Sequence, residues 1–389
     1  MSVPFKYMIK NFGRRRLSTF ITIAGITLVI FVFSAVLMMA DGVKKTLIAT
    51  GEPDNVVITR KGSNNEITSI IPGEIQNVIA TLPHIGKTPD GSEAISYQPV
   101  VVISISLPGG GMTNVTVRGI AQQTLQLHPN VKIVEGRMFN PSLREVIVGQ
   151  SIANRFPEAR LGGAIKLAGD SWKVVGIFSS DGSGFDSEIW CDYRQIQGAF
   201  NRGSSVSSIT LKLDSPSDYG KFEQAFLADR RLQQFQLKPE KEYFADQSYY
   251  LSTFISVIGI IITIIFSIGA AIGAMITMYA EVANRTSEIG TMRALGFSRR
   301  SILTAFLFEA VLLSVTGGII GIILASFLQF FSVSTMNYNT FSNLTFGFAL
   351  TPSSIVVSLI FAVLMGIFGG FFPSARASRM NIVNALRGE

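Results

Sequence analysis

The chain has one cysteine, Cys191, so no disulfide can form within it. Its two histidines, His84 and His128, stand far apart and outside any HExxH, and each reads as an ordinary surface or turn histidine; no metal ligand set is assigned. There is no GxxxxGK[ST]. The one Gly-Lys pair, Gly86-Lys87, lacks the upstream glycine, which excludes that route to cradling nucleotide phosphates. Gly149-Gln150-Ser151-Ile152-Ala153 falls short of a GxSxG elbow, so no catalytic residue is nominated. Charge is scarce, at 15% of residues, and it is nearly missing from four long runs.

Those runs set the class. Of 389 residues 48% are hydrophobic, and the mean hydropathy of +0.39 is too high for an ordinary soluble enzyme. The net charge of +7 is unevenly placed. Residues 42–249 hold 21 Lys+Arg against 21 Asp+Glu, so the whole excess flanks the apolar runs. That is the positive-inside distribution of a membrane protein and argues against a nucleic-acid partner.

Residues 1–16 place Phe5, Met8, Ile9 and Phe12 among Lys6, Lys10 and Arg14 to Arg16. They read as a cytoplasmic amphipathic segment lying on membrane lipid. Residues 17–40 carry no charge and read as a retained first span, longer than a signal-peptide core. Residues 247–280 are uncharged over 34 positions, about 51 Å if helical, which exceeds a hydrocarbon core. The second span is therefore expected to continue outward as a stalk through Gln247–Thr253, the alternative being a loop there. The third span covers 301–331 and contains Glu309, expected to snorkel or to pair near the inner surface. An external loop, 332–352, leads to a fourth span over 353–373 and a cytoplasmic tail, 374–389. The inner flanks carry every surplus cation, so both ends are expected in the cytoplasm.

Residues 41–246 are the one block of soluble character. Strands are predicted at Val56–Thr59, Val100–Leu107, Thr113–Val117, Arg144–Val148, Ala164–Leu167, Trp172–Phe178 and Ser208–Leu213, with helices at Gly73–Leu82, Gly149–Phe156 and Ser217–Leu227. The Gly/Ser/Asp-rich stretch Ser179–Trp190 reads as a flexible loop or subunit contact. Its Asp181, Asp186 and Glu188 lack the spacing of a calcium loop. The fold class is an α-helical membrane protein: four transmembrane helices with an α+β extracytoplasmic domain inserted between spans one and two.

Residues 281–300 connect the second and third spans. Glu281 and Arg285 lie four apart, and Arg285 and Glu288 three apart, so both pairs can meet on a helix. Ile289, Met292 and Leu295 fall roughly on one face, and Gly296 suits a helix stop. The residues alone leave two readings open, a helix that docks on a soluble protein and a solvated connector. Three spans hold a GxxxG, at Gly269/Gly273, Gly317/Gly321 and Gly366/Gly370, which suggests close helix packing and a dimer.

Glu281, Arg285, Glu288-Ile289-Gly290 and Arg293-Ala294-Leu295-Gly296 resemble the cytoplasmic coupling segment of MacB/FtsX-type ABC transporter permeases. Ser301–Gly321 is similar to that family's next span, Pro373–Arg387 to its C-terminal signature, and Gly136–Phe178 more loosely to its external core domain. The resemblance implies a permease subunit in the bacterial cytoplasmic (inner) membrane, itself not an enzyme. Two copies of a separate ATPase would hold ATP and Mg, and this chain would hold no cofactor. A second permease copy or paralogue, and a periplasmic adaptor, are further implied partners. Glu281 to Gly296 would be the ATPase-coupling residues. The work implied is mechanotransmission that drives efflux or extraction of a hydrophobic or peptide-like substrate. Family alternatives are an FtsX-like regulator of a cell-wall hydrolase or signal relay, and a lipoprotein-releasing permease.

The topology has a direct check. Single cysteines at Ser63 and Ser204, in a Cys191→Ser background, are expected to react with an impermeant thiol reagent in intact spheroplasts. Labelling only after lysis would reverse the assignment.

Overall fold

The computed structural model describes residues 16–337 and 340–381, with side chains from residue 19. The amphipathic N-terminal segment around Phe5 to Phe12 and the end of the tail, Arg387 included, lie outside the described residues. The chain divides into two units: one built from residues up to Asp41, Thr253–Phe331 and from Phe348 onward, the other from Gly42–Ser252 with Ser332–Gly347.

The first unit holds four helices long and apolar enough to cross a membrane. They belong to α1 (Arg16–Ile48), α7 (Glu240–Asn284), α9 (Arg299–Ser326) and α10 (Pro352–Ser378), with a short α8 (Thr286–Ala294) between α7 and α9. In lipid, helices gain little from apolar burial against one another, so close approach and hydrogen bonds hold them. A Cβ added at Gly321 would lie 2.8 Å from the Thr27 carbonyl oxygen, and one at Gly317 3.1 Å from that of Ile23, so α9 lies directly on α1. Gly366 and Gly370 bring α10 onto Val311, Ala310 and Ser314 of α9 in the same way. Hydroxyls add to this. Thr27 Oγ1 donates to the Gly317 carbonyl at 3.1 Å, Ser34 Oγ to Ser358 Oγ at 2.9 Å, and Ser314 Oγ to the Ala362 carbonyl. Thr351 caps α10 with a reciprocal Thr351–Ser354 box, and its hydroxyl donates to Asp41 at 2.7 Å.

The third GxxxG is a correction. An added Cβ at Gly269 or Gly273 meets nothing within 4 Å among the described residues. The close glycines on these faces are instead Gly259, against Val36, and Gly369 of α10, against Ala274 of α7. The spacing alone could not separate these cases, because both arrangements leave small residues one turn apart.

The second unit is α+β. One sheet runs β11 (Phe235–Pro239), β1 (Asn55–Arg60), β10 (Ser208–Lys212), β2 (Ile95–Gln98), all antiparallel. The other runs β3 (Val100–Ser106), β4 (Met112–Ile120), β9 (Glu188–Asp192), β6 (Glu145–Gly149), β8 (Asp170–Ser179), β5 (Lys132–Gly136), with β7 (Ala164–Leu167) also on β8. The chain passes from the first sheet to the second at Pro99, which has no N–H for either ladder. Pro108–Gly111 closes the β3–β4 hairpin, with Gly110 and Gly111 both at positive φ. Helices α2 (Gly73–Ala80) and α6 (Tyr219–Ala228) bury Ile79, Phe222 and Phe226 on the first sheet, while α4 (Gln150–Arg155) and α5 (Tyr193–Ala199) bury Ile152 and Ile196 against the second. Burial of each such side chain contributes about 1.5–3 kcal/mol.

Both tryptophans sit in this unit, fully buried. Trp190 Nε1 donates to Glu188 Oε2 at 2.8 Å, whereas Trp172 Nε1 finds no partner among the described residues. Glu188 belongs to a buried cluster. Arg118 donates to Glu188 at 2.8 Å and to Glu66 at 2.7 Å, and Ser208 and Gln98 complete the shell. Arg118 lies on β4 and Ser208 on β10, so the cluster ties the two sheets together.

Two stretches differ from expectation. Ser179–Trp190 is core rather than a flexible loop. Its 3₁₀ turn, Gly184–Ser187, is buried and leads into the buried strand β9. Asp186 accepts from the backbone of Ser180 at 2.7 Å and Gly182 at 2.8 Å, while burial pushes its carboxyl above the usual range. Residues 332–352 are not simply a loop. They form the hairpin β12 (Ser332–Asn337) and β13 (Ser342–Gly347), which belongs to the α+β unit. Thr116 Oγ1 donates to Ser342 Oγ at 2.8 Å, and the Thr345 N–H donates to Ser187 Oγ at 2.9 Å. Gln247–Thr253 is helical, part of α7.

Glycine contacts give a paired prediction. Gly321→Leu forces a side chain into the α1 backbone and is expected to cost several °C in detergent, about 1–3 kcal/mol by the overpacking scale. Gly273→Leu has open space and is expected to leave the monomer's thermal unfolding unchanged. Equal losses for both would refute the packing assignment.

Candidate coupling site

Helix α7 ends at Asn284 because Arg285 leaves helical geometry, with φ −111° and ψ 19°. The chain resumes as α8 one residue later, and the Ile289 N–H still bonds the Arg285 carbonyl at 3.0 Å. Helix α8 stops at a Schellman motif: Phe297 N–H to Met292 O and Gly296 N–H to Arg293 O, both 3.1 Å. Gly296 takes φ +92°, which a side chain would resist.

Arg285 organises the site. Its Nη1 donates to Glu309 Oε2 of α9 at 3.0 Å and to Glu281 Oε1 at 3.4 Å, and its Nε to Glu288 Oε2 at 3.2 Å. The guanidinium lies 4.9 Å from the Phe306 ring centroid. Side-chain exposure is 9% for Arg285 and 8% for Glu309, so this pair is removed from water. Both sequence-spaced pairs, Glu281–Arg285 and Arg285–Glu288, are present, as the rim of a larger cluster. Sequence spacing missed its centre. Glu309 is the buried partner, 24 residues away on another helix, and only its isolation inside an apolar span signalled that it needs one.

The apolar residues of α8 do not share one free face, which corrects the reading of Ile289, Met292 and Leu295 together. Ile289 is fully buried among Met278, Val282, Ile302, Phe306 and Ala377. Met292 is half-buried on the rim of that group, and Leu295 is 68% exposed. The reason is helical drift: steps of three fall about 60° short of a full turn, so three such residues rotate from core to surface. Gly290 is buried beside Ile289, Arg293 is half-buried, and Glu288, Ala294, Leu295 and Gly296 face outward. Arg293 Nη1 reaches the Phe297 carbonyl at 3.4 Å. Chemically the site gathers one guanidinium and three carboxylates over an apolar floor. It is a rigid elbow: a core-facing side locked to α9, and an outward side ending in one large apolar residue.

Two family models match the chain. Residues 19–228 match the family model of the MacB-like periplasmic core domain, and residues 249–382 that of the FtsX-like permease C-terminal region. The macrolide export ATP-binding/permease protein MacB of Bartonella henselae is 25% identical over 95% of this chain and 57% of its own length. That of Pectobacterium atrosepticum is 26% identical over 99% of this chain and 60% of its own length. The chain thus spans less than two thirds of these relatives. The crystal structure of the periplasmic region of MacB from Actinobacillus actinomycetemcomitans aligns over 49% of this chain and 90% of its own, at 15% identity and a TM-score of 0.38.

The ion cluster gives a graded prediction. Arg285→Ala leaves Glu309 buried without its partner and is expected to cost about 3–5 kcal/mol. Glu309→Gln is expected to cost less, since Arg285 keeps Glu281 and Glu288. Arg285→Lys is not expected to rescue, because one ammonium cannot reproduce the fork that serves separate carboxylates. Thermal unfolding of each variant in detergent tests the order, and an Arg285→Ala protein as stable as the parent would overturn it.

Proposed function

The chain belongs to the MacB/FtsX family of ABC transporter permeases, and from that premise we propose that it converts the ATPase cycle of a separate partner into movement of its inserted α+β domain. One observation carries the reading. Helix α7 runs unbroken for 45 residues, from the α+β unit through a membrane-crossing stretch to the Arg285 elbow. At 1.5 Å per residue that is a rod of about 68 Å, and a rod passes on axial and tilting displacement with little loss.

The outward side of α8 suits the motor contact. Two copies of an ABC ATPase, holding ATP and Mg, would press on Leu295 with Glu288 and Ala294 at its rim. Because Ile289, Gly290 and Arg285 lock the other side of α8 to its own neighbours, that push moves the elbow as a body. A second permease copy or paralogue would complete the membrane part, in the bacterial inner membrane. The spans offer few polar groups to line a path, which favours a lever over a pore. The names of the relatives, macrolide export ATP-binding/permease proteins, favour export over the regulatory alternatives, and the substrate would be hydrophobic or peptide-like, handled with a periplasmic adaptor.

Co-purification of the ATPase with permease variants tests the contact. A buried leucine contributes about 1.5–3 kcal/mol to an interface, and an exposed rim charge under about 1 kcal/mol. Leu295→Asp is therefore expected to lower ATPase retention at least about tenfold while the permease stays folded, and Arg299→Ala to change it little. Retention of the ATPase by Leu295→Asp at the parent level would remove α8 as the motor contact.

A further inference from the structure

Beside the Arg118 cluster, the α+β unit buries a second ion pair, His128 with Glu240. His128 is fully buried, contrary to its reading as a surface or turn residue. Its Nε2 lies 3.0 Å from Glu240 Oε1, and its Nδ1 3.3 Å from the Thr124 carbonyl. Both ring nitrogens therefore face acceptors. A neutral imidazole has one N–H and satisfies one of them, whereas the imidazolium satisfies both.

Glu240 is the first residue of α7. Its other oxygen, Oε2, accepts from the Glu52 N–H at 2.9 Å and from Asn55 Nδ2 at 3.0 Å. Gly51 lies so close that an added Cβ would fall 2.7 Å from the Glu240 backbone carbonyl carbon. One carboxylate thus fastens the head of α7, the chain leaving α1 and the start of β1 to His128. The other charged groups near His128 are Glu66, from the segment after β1, and Arg118, on β4, itself held by Glu66 and Glu188. Phe185 closes the remaining side edge-on, with ring centroids 5.1 Å apart.

We propose that the His128–Glu240 pair is the pin that fixes the head of α7 into the α+β unit, and that the protonation state of His128 sets how firmly movement of α7 reaches that unit. This deepens the lever reading and rests on it. Burial opposes the imidazolium, but the Glu240 carboxylate, its hydrogen bond and the Thr124 carbonyl outweigh burial and the Arg118 charge, so His128 is held above its ordinary value. The sign follows. The pair contributes in full below about pH 6.5, the unfolded histidine value, and its contribution is lost as pH rises through the raised folded value. His128 and Glu240 are positioning residues: they touch no substrate and act through α7.

Hydrogen–deuterium exchange on the intact chain in nanodiscs, followed over residues 240–250 from about pH 6 to about pH 9 and normalised to intrinsic rates, tests the pin without any ATPase. Protection in the parent is expected to fall about fivefold across that interval. In His128→Gln, whose amide still donates to Glu240, it is expected to be flat, and in Glu240→Gln to be low throughout. A parent as flat as His128→Gln overturns the pin. A second arm uses the complex with its ATPase and spin labels at position 204 of two permease copies. The nucleotide-driven change in their separation is expected to be larger at the acidic end in the parent, and equal at both ends in His128→Gln. A nucleotide-driven change that is the same at both ends in the parent overturns the role of the pin in transmission. No nucleotide-driven change in the parent at either pH overturns the lever reading, and with it that role, whatever the exchange profile shows.

Discussion

A charge taken out of water must be met by an opposite charge and by hydrogen bonds, or it costs several kcal/mol. This chain obeys that constraint at three places, and at each the partners come from different elements. Arg118 on β4 holds Glu66 and Glu188. His128 holds Glu240 at the head of α7. Arg285, just past the other end of α7, holds Glu309 on α9. Apolar packing can slide by a methyl group at modest cost, but a buried ion pair is satisfied in one arrangement. The two ends of the longest helix are therefore its most tightly specified points, while the stretch between them rests on small-residue contacts and exposes a nearly continuous row of isoleucines.

That layout suits the lever proposed for α7. A helix fastened at both ends by directional, desolvated contacts keeps its register when displaced, and the apolar middle is free to shift against lipid or another helix. The elbow follows the same logic. Arg285 lets the chain turn without losing the helical hydrogen bond to Ile289, and the Schellman stop at Gly296 fixes where α8 ends. The outward side of α8 ends in Leu295, which is 68% exposed.

Much of this was legible in the sequence, for physical reasons. Uncharged runs as long as a hydrocarbon core, with the surplus of cations in their flanks, identify the spans. Alternating β-branched residues ended by Gly or Pro identify strands such as Val100–Ser106 and Trp172–Phe178. Local pairs such as Glu281–Arg285 follow from helix geometry. What stayed hidden depends on residues distant in the chain. Glu309 and His128 look isolated because their partners lie 24 and 112 positions away. Ser179–Trp190 has loop composition, yet its polar residues are spent on an internal network around Asp186. The hairpin at Ser332–Gly347 reads as a loop because its strands are rich in Ser, Thr and Asn. Only the alternation of Ser342, Leu344 and Phe346, all buried, marks its inner face. Gly269 and Gly273 show the reverse error, a motif with nothing packed on it inside this chain.

The two tryptophans carry a practical consequence. Trp172 and Trp190 are the only indoles in the chain, and both lie in the α+β unit, none in the spans. Trp190 packs against Phe178 and, edge-on, Phe185 and is bonded to the carboxylate that Arg118 grips, whereas the Trp172 N–H has no acceptor among the described residues. Their ultraviolet emission is therefore a built-in, label-free optical reporter confined to one half of the molecule. A change in the indole emission of this chain by itself would therefore arise in the inserted domain, with no contribution from its membrane-crossing helices.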